Sequence, residues 1–115
     1  MLPASGAKLL VCHRRLFRED QPRFFAGVVK ASESGLVKAT GYSWTRDPAH
    51  GFRRKEGERT KIVALNSGMI IAYELPMEIS IEKLRIEQLG GHAVVLTDGA
   101  EFRMDLAERL PNQSD

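Results

Sequence analysis

One cysteine, Cys12, stands in the 115 residues, so no internal disulfide can form. The chain reads as one built for a reducing compartment, and a disulfide-stapled secreted domain is excluded. A lone thiol in an apolar strand behaves as a small hydrophobe. Its neighbour His13 is badly placed to act as its base, because adjacent strand residues point to opposite faces. Long apolar runs are missing too. The longest, such as residues 69–73, are strand-sized, well below the roughly 20 residues of a membrane helix. Leu9-Leu10-Val11 is too short for the core of an export signal, and His13-Arg14-Arg15 follows it. No membrane partner and a cytoplasmic location are the expectations.

The signatures of common enzymes are also absent. There is no G-x-x-x-x-G-K-[ST] phosphate loop, no G-x-G-x-x-G, no H-E-x-x-H and no C-x-x-C. His13, His50 and His92 fall in separate segments, whereas a metal site needs such ligands to converge. Ser67 lacks the G-x-S-x-G context of an activated serine, and the turn Asn66-Ser67-Gly68 accounts for it. Asp98 and Asp105 flank a hairpin and read as solvated surface acids. No catalytic residue, metal or cofactor is therefore expected.

What the chain does contain is strand pattern. Its length suits one domain with its own core, and 10 Gly and 5 Pro are enough to punctuate turns without marking low complexity. The pattern predicts strands at 8–17, 24–31, 36–44, 61–65, 69–75, 84–89, 93–97 and 102–106. Gly41 is expected to mark a bulge in the third. Ser32-Glu33-Ser34-Gly35 has hairpin length, Gly68 is expected to supply a positive φ, and Asp98-Gly99 is a strong hairpin signal. Single helical turns are expected at 80–83 and 107–110. Phe102-Arg103-Met104-Asp105-Leu106 alternates apolar and polar residues, so one face is buried. Seven or eight short strands on tight turns predict an all-β fold, a small antiparallel β-barrel or two-sheet roll, with one or two short helical turns. Residues 1–7 read as an N-terminal arm, 8–110 as the single domain and 111–115 as a frayed tail. The predicted core is Leu10, Val28, Val63, Leu65, Ile71, Leu84, Ile86, Val94, Leu96, Phe102, Met104 and Leu106.

Net charge is only +2, but its distribution is uneven. Residues 1–73 hold 13 Lys/Arg against six Asp/Glu (+7), and residues 74–115 hold four against nine (−5). The longest break between predicted strands, 45–59, is dense in charge, and long loops in compact domains often carry function. The basic segment 46–61 supplies Arg53, Arg54, Lys55, Arg59 and Lys61, with Phe52 inside it and Trp44 just before. Cations that meet phosphates, beside rings that stack on bases, are what a single-stranded nucleic acid requires. The competing reading is a solvated hairpin in which Glu56 and Glu58 pair with the basic residues across strands. His13, Arg14, Arg15, Arg18 and Arg23 form a second basic group; if strands one and two pair, Arg14, Arg18 and Arg23 cluster near one end of the sheet, and nothing in the sequence forces them to join the first group. Three functions follow in order: a non-catalytic binding module that recognises a protein or self-associates; a nucleic-acid or polyanion binder using 46–61; and, with least support, a small-molecule enzyme.

Overall fold

The computed structural model describes residues 4–14, 22–47, 51–88 and 94–106. These form nine strands: β1 (Lys8–His13), β2 (Arg23–Glu33), β3 (Leu36–Asp47), β4 (Gly51–Arg54), β5 (Arg59–Ala64), β6 (Ile70–Leu75), β7 (Arg85–Gln88), β8 (Val94–Thr97) and β9 (Arg103–Asp105). A single 3-10 turn, Ile81–Lys83, precedes β7. The fold is all-β, in two antiparallel sheets. The larger has the order β4-β3-β2-β1-β6, with β5 also paired to β3, and the smaller is β7-β8-β9.

The supposed loop 45–59 is largely strand. Thr45–Asp47 prolong β3, Gly51–Arg54 pair back on it, and Arg59 already belongs to β5. Charged residues alternate well on an exposed edge strand, and their polarity hid the pairing. Of the first predicted strand, β1 covers Lys8–His13, and residues 15–17 lie outside the described residues. The helical turn expected at 107–110 and the tail 111–115 lie outside the described residues. Ser34 and Gly35, at φ 50° and 82°, make a two-residue turn between β2 and β3. Gly68 does not adopt a positive φ; that turn is held by Ser67 N–H donating to the Ala64 carbonyl and Met69 N–H to Ser67 Oγ, both 3.1 Å. The Asp98-Gly99 hairpin is wider than two residues, because Thr97 is the partner of Arg103. The Asp98 carboxylate stabilises it by accepting from the N–H groups of Ala100 (2.8 Å) and Phe102 (3.3 Å).

The link from β5 to β6 dictates the shape of the larger sheet. β5 ends at Ala64, level with Leu36 and hence with Glu33 of β2. β6 begins at Ile70, level with His13 and hence with Arg23 at the other end of β2. On a flat sheet these points would lie roughly 35 Å apart, from a rise of about 3.3 Å per residue and a strand spacing of about 4.8 Å. The chain from Ala64 to Ile70 reaches about 20 Å even when fully extended. The sheet must therefore curl, which carries the outer edges of β5 and β6 toward each other. They do not hydrogen-bond, so the sheet stays open.

Two local features permit the curl. The register of β2 on β3 shifts between Val29 and Ala31, a bulge that sharpens bend and twist. Gly41, expected to be the bulge, instead lies in register opposite Gly27. Its role is close approach: a Cβ on Gly41 would lie 1.9 Å from the Ala26 carbonyl oxygen.

The curl separates two faces. The inner face gathers Ala7, Leu9, Val11, Phe25, Val29, Val37 and Ala39, with half-buried Val63, Leu65 and Ile70 against them. The outer face presents Leu10, Phe24, Ala26 and Trp44 to Ile79, Ile81, Leu84, Ile86 and Leu96 of the second sheet and its approach. Lys8 Nζ fastens that approach to β1 by donating to the carbonyls of Met77 and Ile79. Of the predicted core, Leu10, Leu84, Ile86 and Leu96 are buried. Val28, Val94, Phe102, Met104 and Leu106 pack half-buried against the outer cluster. Ile71 is a correction: it is 37% exposed, on a strand that the second sheet does not cover.

Replacing Gly41 by Ala is expected to destabilise the protein by roughly 3 kcal/mol or more, since the new methyl must displace backbone. Urea unfolding of the variant checks this against Ala39→Gly, a change that only removes a buried methyl.

Candidate functional site

Register alone places cations in rows on the inner face. His13 of β1 stands opposite Arg23 of β2, Arg23 opposite Thr45 of β3, and Thr45 opposite Arg53 of β4. One row along, Val11, Phe25 and Ser43 are opposite one another, and the N–H of Lys55 donates to the Ser43 carbonyl at 2.8 Å. Beyond them Gly41 faces Arg59 and Ala39 faces Lys61. Because opposed residues share a face, side chains from β1, β2, β4 and β5 stand on the face that holds Phe25 and Ser43.

Their mutual influence confirms the convergence. Burial, then the Arg23 and Lys61 charges, hold His13 below its ordinary value. Burial, then Arg59, Lys55 and Arg23, hold Lys61 below the ordinary lysine range. Lys61 Nζ lies 5.1 Å from the centre of the Phe25 ring, an attraction of cation for π face that partly offsets the repulsion. Among the described residues, none of these cations has a carboxylate within ion-pair distance; the close pair there is Arg85–Glu87 at 2.8 Å, in the second sheet. The centre is therefore apolar and its rim predominantly positive, although register also sets Glu74 of β6, opposite Leu9, on this face.

The residues predicted for a polyanion site divide. Lys55, Arg59 and Lys61 belong to this rim, and Arg53 joins by register. Arg54 lies on the outer face, opposite Trp44. Its guanidinium sits 4.4 Å from the Tyr42 ring centre and donates to the Glu82 carbonyl at 2.8 Å, so it ties β4 to the 3-10 turn. Trp44 is 2% exposed and is core, not a stacking platform. Phe52 is half-buried and packs edge-on to Phe24, with centroids 5.6 Å apart. Sequence reasoning missed Phe25 and Ser43, and it left His13 and Arg23 in a separate group. Both were joinable through the β1–β2 register. Arg15 and Arg18 lie outside the described residues, as do His50 and His92. Cys12 packs against the outer core while His13 faces inward, the separation that strand alternation requires.

No known protein family, curated protein or solved structure matches the chain. Among the described residues no helix is long and apolar enough to cross a membrane, and no three metal-binding side chains gather.

The lowered pKa of His13 has a stability consequence. The unfolded chain takes up this proton near the ordinary value of 6.5, and the folded chain only at lower pH. Protonation therefore favours unfolding, so the contribution is fully present above pH 6.5 and is lost as pH falls through the folded value. His13→Gln is expected to lose less stability than the parent between pH 7.5 and 5.5, read as the shift in urea midpoint.

Proposed function

We propose that the protein is a non-catalytic binding module whose partner is a polyanion, with a single nucleic-acid strand as the class that fits. One observation carries this reading: cations from four strands share one face, and among the described residues none of them has a carboxylate within ion-pair distance. Such a cluster raises the energy of the unbound protein, and a phosphate chain relieves it by neutralising charge and releasing counterions. The rim from β1 to β4 spans about 14 Å, three strand spacings, enough for a few successive phosphates. Among the described residues no aromatic ring of this face is exposed, since Phe25 is 1% accessible. Recognition therefore rests on phosphates and is tolerant of sequence.

The test is fluorescence anisotropy of a labelled mixed-sequence oligonucleotide across ionic strength. With Arg23, Arg53, Lys55, Arg59 and Lys61 as the charged set, log K against log salt is expected to fall with a slope of about −3.5, at about −0.7 per phosphate neutralised. Arg59→Ala is expected to make the slope shallower by about 0.7. Arg54→Ala, on the other face, is expected to leave it unchanged. A salt-independent affinity, or no binding at low salt, sinks the reading.

A second reading, self-association, is favoured by β6. Among the described residues this strand pairs only with β1, and it exposes Ile71 (37%) and Tyr73 (42%), with Met69 (52%) and Met77 (59%) at its ends. Open apolar edges invite pairing with another chain. Sedimentation velocity at about 100 μM, a level at which micromolar pairs associate, is expected to show a dimer that Ile71→Lys dissociates; a monomer for the parent removes this reading.

A further inference from the structure

At the centre of the cationic rim lies a polar group without a partner. Ser43 is 6% exposed, and its Oγ is buried and makes no hydrogen bond. A buried hydroxyl without a partner is destabilising, and alanine would remove that cost at the same position. The register sets Ser43 beside Phe25 and on the same face as Arg23, Thr45 and Arg53 on one side and Arg59 and Lys61 on the other. Arg23, Lys55 and Arg59 are exposed, so their side chains have room to rearrange above it. Lys61 is half-buried with its charge over the Phe25 ring rather than on a carboxylate.

We propose that Ser43 is the floor of a subsite for one phosphodiester group of a bound nucleic-acid strand, its hydroxyl donating to a non-bridging oxygen. This rests on the polyanion reading and goes further, since it assigns one phosphate a fixed position within an otherwise diffuse positive field. Lys61 and Arg59 supply the charge on one side of that phosphate and Arg23 on the other. Phe25 excludes water beneath it, which strengthens the hydrogen bond. The bond spends the hydroxyl's unmet capacity only in the complex.

The test measures anisotropy of a fluorescein-labelled 12-nucleotide single strand against the full chain, with Ser43→Ala and Ser43→Cys alongside. A hydrogen bond to a charged oxygen is worth about 1.5–3 kcal/mol, so Ser43→Ala is expected to bind roughly ten- to a hundredfold more weakly. Its salt slope is expected to match the parent's, because no charge is lost. Ser43→Cys, near in size but a weak donor, is expected to fall between. Inorganic phosphate is expected to compete only at far higher concentration, because it engages one position of the rim; competition at the oligonucleotide's own concentration would overturn the assignment to a strand. A folded Ser43→Ala variant that binds as tightly as the parent overturns the subsite and leaves the rim reading intact. Failure of the parent to bind the oligonucleotide removes the rim reading and the subsite with it.

Discussion

Residues 65–69 are too few to cross a flat sheet, and that limit on reach governs the larger half of the protein. β5 is committed to β3 and β6 to β1, so the sheet between them has to roll until their ends come within range of the link. The rolled sheet needs an extra residue near Val29 and two backbones in near contact at Gly27 and Gly41. It also creates the inner face on which Lys61, from β5, comes under the influence of Arg23 and reaches His13 on β1, three strands away in pairing order.

The same curvature accounts for the electrostatic character of that face. Strand alternation sends every second residue of β1, β2, β3 and β5 inward, and Leu9, Val11, Phe25, Val29, Val37 and Ala39 make an apolar floor, while His13 and Arg23 stand at strand ends and Arg59 and Lys61 in the first half of β5. An apolar floor beneath charged ends has low polarisability, so each cation feels its neighbours more strongly than it would in water. Lys61 responds by resting on the Phe25 ring, and His13 by remaining neutral more readily. The outer face works differently. Its cations near the second sheet have partners: Arg54 has the Tyr42 ring and the Glu82 carbonyl, and Lys8 the carbonyls of Met77 and Ile79.

The all-β class, most strand positions and the alternating last strand were legible because period-two patterning and turn residues are local signals. The extent of β3, the existence of β4 and the position of the bulge were not. Arg53 and Arg54 look like loop residues because an edge strand needs no apolar alternation when only one side is covered. Trp44 looked equally suited to display and to burial, and only its pairing with Phe24 on the outer face decided it. Ile71 has a core residue's chemistry on a strand that the second sheet leaves bare. Of the site, Lys55, Arg59, Lys61 and Arg53 were visible as a basic run, but Arg23 and His13 reach them only through tertiary curvature. Ser43 carried no signal at all, since a lone serine in a strand means nothing until its burial is known.

The acidic tilt of the chain after residue 74 acquires a meaning from the sheet order. The basic front half folds into the curled sheet, and much of the acidic rear half becomes the second sheet laid on its outer face. The two layers therefore differ in net charge, positive in the curled sheet and negative in the second sheet with its approach, in a body about 25–38 Å in its dimensions. A net charge of +2 understates such a molecule, because what acts at a distance is its electric dipole moment. In the field of any extended anion that moment exerts a torque, turning the inner face forward and the second sheet away before contact, over separations comparable to the Debye length of about 8 Å.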